Sequence, residues 1–149
     1  MRLTLKEIEA RVKVVADRAV FDRDFIFELL FAFGRSKGNL TRLRSTSASS
    51  LNVAADPSTE VAQKGVLYFK EVAEGTEEDH LRVVEELSAS PTVVRYNTRF
   101  VIVTDYVTLL AKDIKTGDTL VTPIREIADN FTFFLPWAGM EKAQYTAEA

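Results

Sequence analysis

The amino-acid sequence predicts an α/β fold in which a mixed β-sheet is flanked by helices. Helical spacing of apolar residues dominates positions 4–34, and buried-strand composition appears at 66–72 and 99–105. Two extended runs around a glycine turn then predict a hairpin between 108 and 121. A strand, a helix and further strands in that order are typical of a sheet with helices packed on it.

The length of 149 residues suits one domain with a single core, so we expect residues 1–149 to form that domain. The sequence has no cysteine and one histidine, His80, which excludes disulfides, thiolate metal sites and any site that needs two histidines. No apolar run could span a bilayer and the N-terminus lacks a secretion signal. We therefore expect a cytoplasmic chain with no membrane partner.

Two amphipathic helices are predicted at the N-terminus. Thr4 and Glu7 form a capping box before the first, over residues 4–17. The second has Asp22 as its N-cap and Gly34 as its stop, and Phe21 could contact Ile26 as a hydrophobic staple.

Cations cluster directly after the second helix. Within ten residues that include a glycine turn and a short helix, the sequence places four of them: Arg35, Lys37, Arg42 and Arg44. Long cations beside hydroxyls suit contacts with DNA phosphates. A solvated surface with no ligand is the alternative.

The remaining elements follow from composition. The composition of residues 45–60 predicts a loop, and that of residues 66–72 predicts a buried strand. A helix is predicted to begin after Thr76, with His80 at its surface. Ser90 and Pro91 end that helix, and residues 99–105 form a buried, central strand. Residues 108–113 and 119–121 form the hairpin, and 124–129 a short helix. Residues 131–139 are aromatic and irregular, and the helix-prone end at 141–149 lacks a stop signal, as expected of a domain taken from a longer polypeptide.

The strand at 66–72 raises the question of nuclease chemistry. Metal-dependent nucleases hold a divalent cation with an acid and a following Glu-x-Lys strand, because residues two apart share one face. Here neither register supplies Glu-x-Lys: if Lys70 is the lysine, the acid position holds Tyr68, and if Lys70 replaces the acid, the lysine position holds Val72. Glu60, or less well Asp56, could supply the first acid. We expect Asp105 to cap the turn that follows the central strand.

Four segments resemble a known family: residues 25–34, 65–69, 99–105 and 133–142, the last containing Phe-Leu-Pro-Trp-Ala-Gly. They look like the N-terminal domain of type IIG/IIL restriction–modification proteins of the MmeI kind. The resemblance implies a PD-(D/E)XK, restriction-endonuclease-like fold, followed in the parent protein by a helical spacer, an adenine-N6 DNA methyltransferase domain and a target-recognition domain. It also implies S-adenosylmethionine as a cofactor of the parent, with Mg²⁺ as a second candidate, and none is expected in this part.

The family's catalytic positions fall on Glu60, Lys70 and Val72, of which only Glu60 keeps a carboxylate. This pattern predicts a nuclease-like domain that has lost catalysis and metal binding, and that serves DNA-backbone contact or inter-domain scaffolding beside the downstream methyltransferase domain. Two alternatives remain open. One is an active, divergent Mg²⁺-dependent endonuclease, in which Glu60 or Asp56, Asp105 and Lys70 are rearranged around a metal. The other is a module that binds only protein.

Overall fold

A computed structural model describes residues 3–45, 47 and 50–140 of the chain. Contacts divide the chain into two compact units, one of residues 1–40 with 125–149 and one of residues 41–124. The expectation that residues 1–149 form one domain stays a prediction. The helix-prone end at 141–149 lies outside the described residues.

The first unit contains the two predicted N-terminal helices. Helix α1 spans Leu5–Ala16 and begins with the predicted capping box, in which Thr4 and Glu7 each accept the other's backbone N–H. Helix α2 spans Asp24–Ala32 and packs against α1. Gly34 follows α2 with φ of +98°, the left-handed conformation that suits a glycine stop.

The start of α2 differs from the prediction. Arg23, not Asp22, is its N-cap, and Asp22 instead accepts the N–H of Asp24 at 2.9 Å, because its short side chain reaches an amide two residues on. The ring of Phe21 contacts Phe25 at 5.7 Å between centroids, and the staple with Ile26 stays a prediction.

The aromatic segment at 131–139 is more regular than predicted. A 3₁₀ helix spans Ile124–Ala138, with a kink at Asn130. Phe134 and Trp137 on it stack at 4.6 Å, and Trp137 meets Phe33 edge-on at 5.5 Å. These rings are buried, so the segment builds part of the core of the first unit.

The second unit is built on a mixed sheet, which confirms the predicted α/β class. In the described residues five strands lie in chain order across this sheet: β1 (Glu60–Gln63), β2 (Leu67–Glu71), β3 (Phe100–Thr104), β4 (Thr108–Asp113) and β5 (Thr119–Pro123). Strands β2 and β3 run parallel, and the other neighbours are antiparallel. Strand β3 is the middle strand and fully buried, as predicted, and β4 with β5 is the predicted hairpin.

Strand β1 was missed by the sequence, which predicted a loop up to residue 60. Its outer edge is closed by Asn52, whose amide donates to the carbonyl of Glu60 at 2.8 Å and accepts the N–H of Ala62 at 2.9 Å. The carbonyl of Ala62 accepts the N–H of Val53 at 2.9 Å. A preceding loop segment therefore supplies the partners that a further strand would supply.

Two helices connect the parallel strands β2 and β3. Helix α4 (Glu77–Ser88) has Thr76 as its N-cap, as predicted, and packs on β3 and β4. Ser90 and Pro91 do end α4, but Ser90 also caps a further short helix, α5 (Pro91–Arg95), because proline is well placed in a first helical turn. Helix α3 spans Lys37–Arg44, and the boundary between the two units falls within it, after Leu40.

The prediction that His80 lies at the surface was wrong. Its side chain is buried, and Nε2 lies 2.9 Å from the carbonyl oxygen of Ala73. The carbonyl can only accept, so this nitrogen carries the proton. The acidic residues before His80 in the sequence favoured a surface position. In the structure its side chain fixes the loop before α4.

Candidate functional site

The antiparallel pairing of β1 and β2 brings two of the predicted motif positions together. Glu60 and Lys70 are direct partners across the two strands, so their side chains lie on the same face of the sheet. The Nζ atom of Lys70 lies 3.8 Å from a carboxylate oxygen of Glu60. Glu60 is buried, whereas the Lys70 side chain is 39% exposed, so the cation approaches a buried carboxylate from the solvent side.

Tyr68 completes this arrangement from the same strand and the same face as Lys70. Its hydroxyl donates to the Oε1 atom of Glu60 and accepts the N–H of Ala55 at 3.1 Å. Burial, and next the hydrogen bond to Glu60, raise the pKa of Tyr68 to about 12. We call Glu60, Tyr68 and Lys70 the β1–β2 cluster.

Asp56 lies next to this cluster but directs its oxygens elsewhere. The N–H of Asp56 donates to Glu60 at 3.4 Å, while its carboxylate accepts the hydroxyls of Ser58 at 2.6 Å and Thr59 at 3.1 Å. These hydroxyl hydrogen bonds lower the pKa of Asp56. The carboxylate of Asp56 thus organises the turn before β1.

A divalent cation of the kind that the family resemblance suggests does not fit the β1–β2 cluster. The carboxylate of Glu60 accepts a hydrogen bond from the Tyr68 hydroxyl on one oxygen and faces the ammonium of Lys70 with the other. A second cation there would be repelled by Lys70. In the ranges that the structure describes, no group of three or more His, Asp or Glu side chains is placed to hold a metal ion.

Val72, the predicted position of the family's lysine, packs half-buried against the apolar cluster that contains Tyr68, Val84 and Val103. Its backbone N–H donates to Thr104 at 3.0 Å. Val72 is therefore part of the packing between the sheet and α4.

Two further acids lie at the end of the central strands. Glu71 accepts the hydroxyl of Tyr106, on the face opposite to Lys70. Asp105 accepts the N–H groups of Val107 at 2.9 Å and Thr108 at 2.8 Å, which confirms its predicted role as a turn cap.

The predicted phosphate-binding cations lie on or beside α3. Lys37, Arg42 and Arg44 are exposed on this helix. Arg35 precedes it, and burial lowers the pKa of its guanidinium. Arg35 is half-buried, so it offers less of its side chain to a ligand than the others do.

Comparison with known proteins identifies the family. The model of the MmeI N-terminal domain matches residues 3–149. The chain belongs to the MmeI N-terminal domain family. This membership confirms the resemblance carried by the Phe-Leu-Pro-Trp-Ala-Gly segment and the strands.

DNA methyltransferase A of Bacillus subtilis (strain 168) is a relative of this MmeI N-terminal domain, 32% identical over 150 residues. The alignment covers 98% of this chain but 16% of that protein, so the chain spans about a sixth of the relative's length. No solved structure matches the chain. No helix in the described ranges is long and apolar enough to cross a membrane.

The sequence named the positions of the β1–β2 cluster but not its contacts. Tyr68 was identified only as the residue at an acid position, and nothing in the spacing of residues 60 and 68 indicates a hydrogen bond between them. That bond depends on the pairing of β1, a strand too short for its pattern to be recognised.

Proposed function

We propose that this MmeI N-terminal domain is a nuclease-like module without catalytic activity, which contacts the DNA backbone on behalf of a restriction–modification or DNA methyltransferase protein. The observation that carries the proposal is the ammonium of Lys70, 3.8 Å from Glu60 at the place where the family resemblance puts a metal-binding carboxylate. The membership in the MmeI family and the relative named as a DNA methyltransferase support DNA as the partner.

The loss of catalysis follows from charge. Metal-assisted phosphodiester cleavage needs a cation that polarises the phosphate and activates water. In the β1–β2 cluster Lys70 neutralises the one retained carboxylate, and Tyr68 holds that carboxylate by a hydrogen bond. We infer that the restriction-endonuclease-like sheet serves here as a scaffold, and that S-adenosylmethionine binding belongs to a methyltransferase domain elsewhere in the parent protein, in the cytoplasm.

A cleavage assay tests the loss of catalysis. The chain is incubated with plasmid DNA and Mg²⁺ or Mn²⁺, beside a Glu60→Ala variant prepared in the same way. We expect no metal-dependent cleavage by either protein. Cleavage that is lost on Glu60→Ala would establish the divergent endonuclease instead, whereas cleavage shared by both proteins would indicate a contaminating nuclease.

A binding assay tests the DNA contact and separates it from a module that binds only protein. Affinity for a labelled duplex should fall as salt rises, with a log–log slope of about −0.9 per phosphate contact. Replacing Arg42 and Arg44 together by alanine should weaken binding and flatten that slope. Binding that is absent, or that does not respond to salt, would favour the protein-interaction module.

A further inference from the structure

A second group of cations lies in the sheet unit, away from Arg42 and Arg44 in the sequence, at the turn between β1 and β2. The Nζ atom of Lys64 lies over the ring of Tyr96 at 4.9 Å from the centroid, and the guanidinium carbon of Arg95 lies 5.3 Å from the same centroid. Both cations are exposed. Two positive charges therefore share one aromatic ring at the surface.

The backbone holds this group in place. The N–H of Gly65 donates to the carbonyl of Tyr96 at 3.0 Å, which joins the β1–β2 turn to the end of α5. Tyr96 is the C-cap of α5, so its position is set by a helix end, and Lys64 sits on a short hairpin turn. The backbone of both segments therefore brings Lys64 and Arg95 to the same ring.

The stretches of sequence around these cations carry no acid. Residues 61–70 and 87–104 contain no Asp or Glu, although residues 41–124 as a whole carry twelve acids against nine cations. Four other cations of this unit each face a carboxylate: Lys70, Arg82, Arg99 and Lys112. In the described part of the chain, Lys64 and Arg95 contact the ring of Tyr96 and form no ion pair with a carboxylate.

This arrangement suits an anion with more than one charge. A ring face attracts cations, but it does not cancel the repulsion between two of them, whereas an anion bound by both does. A DNA strand presents a negative charge about every 3.4 Å along its axis, so neighbouring phosphates can engage neighbouring cations. Gly65 follows Lys64 in the turn, and a Cβ added there would meet nothing within 4 Å, so the turn leaves room for a backbone to approach.

We propose that Lys64 and Arg95, positioned by Tyr96, form a phosphate-contact site for the DNA backbone that is separate from Arg42 and Arg44. The inference rests on the proposed DNA-binding function and adds a second point of contact on the same partner. The ring of Tyr96 is a positioning group, since both of the cations that would touch phosphate lie over it.

The test compares two double variants that each remove two positive charges from the chain. Lys64→Ala with Arg95→Ala removes the proposed site, and Arg82→Ala with Lys115→Ala removes exposed cations elsewhere on the same unit. Binding to a labelled duplex is measured by fluorescence anisotropy from low to moderate salt, and circular dichroism checks that each variant is folded. Tyr96→Phe keeps the ring and removes only the hydroxyl.

We expect the Lys64 and Arg95 double variant to bind at least about tenfold more weakly at low salt, and the magnitude of its salt slope to fall by about 1.8, the loss of two phosphate contacts. The matched control should change affinity by less than about threefold, and Tyr96→Phe should bind like the wild type. A site variant that behaves like the control, while the Arg42 and Arg44 variant loses binding, overturns this inference and leaves the proposed function standing. No salt-dependent binding by the wild type overturns both.

Discussion

The pair of Arg99 with Asp113 links the residue before β3 to β4, and the pair of Lys70 with Glu60 links β2 to β1, but their geometry differs. Arg99 donates to both oxygens of Asp113 at 3.0 Å, and Asp113 is completely buried. Lys70 makes one contact at 3.8 Å with the buried carboxylate of Glu60, and its own side chain is 39% exposed. The first pair fixes the end of the sheet, whereas the second leaves a cation available at a surface.

The comparison shows which residues serve the fold. Asp113 also accepts the N–H of Lys115 at 3.1 Å, so the carboxylate ties both the start of β3 and the β4–β5 turn to β4. Glu60 depends on Tyr68 more than on Lys70, because the hydroxyl reaches it as a buried hydrogen bond. Of the β1–β2 cluster, Lys70 is thus expected to contribute least to the stability of the fold.

The largest effect should come from breaking the pair of Arg99 and Asp113. Replacing Arg99 by alanine leaves a buried carboxylate without its cation, and we expect the free energy of unfolding to fall by about 3–5 kcal/mol. Urea unfolding followed by circular dichroism measures the change. Lys112→Ala, which breaks the more exposed pair with Glu85, is the control and should cost at most about 1 kcal/mol. Equal losses in the two variants would contradict the distinction drawn here.

An intermediate effect is expected for Tyr68→Phe. The substitution keeps the ring and removes the hydroxyl that donates to Glu60, so a buried carboxylate loses a hydrogen bond. We expect a loss of about 1–3 kcal/mol of unfolding free energy. Tyr106→Phe, which removes the hydroxyl bonded to the more exposed Glu71, is the matched control and should cost less. A neutral Tyr68→Phe would mean that the cluster is held by packing alone.

The same tyrosine should be visible in a titration. The pKa of Tyr68 is raised to about 12 in the folded state, above an unfolded value of about 10. Its contribution to stability is therefore fully present below pH 10 and is lost as the pH rises towards 12. Absorbance of tyrosinate at 295 nm should show a component with a pKa near 12 that disappears in Tyr68→Phe. A wild-type titration without that component would contradict the buried hydrogen bond.

The smallest effect is expected for Lys70→Ala. Its ion pair is long, the Lys70 side chain is partly exposed, and Tyr68 still holds Glu60, so the free energy of unfolding should change by less than about 1 kcal/mol. Urea unfolding beside Arg99→Ala provides the test. A loss as large as that of Arg99→Ala would show that Lys70 serves the fold, and would weaken the view that it replaces a functional carboxylate.

The sequence predicted the elements whose patterns are long. Helix α1, the central strand β3 and the β4–β5 hairpin were placed correctly because each carries a period or a turn signal over several residues. Strand β1 and helix α5 were missed, since four or five residues are too few to show a period.

The contacts of the candidate site were less accessible to sequence reasoning. The family register indicated Glu60 and Lys70, but their pairing depends on the β1–β2 register, and the bond from Tyr68 depends on both. His80 shows the same limit, because its partner, the carbonyl of Ala73, is a backbone group that every residue possesses. Side-chain identity alone does not indicate which backbone group lies within reach.

The closure of β1 by Asn52 determines how this sheet could associate with other chains. Unpaired amides at a sheet margin are templates for recruiting a foreign strand, which leads to domain exchange or to fibres. At the β1 margin the Asn52 amide bonds the carbonyl of Glu60 and the N–H of Ala62, and the N–H of Val53 bonds the carbonyl of Ala62, so an incoming polypeptide would first have to displace these partners. Strand recruitment is thereby directed to the opposite margin, β5, where Pro123 lacks an N–H to offer and shortens the available template.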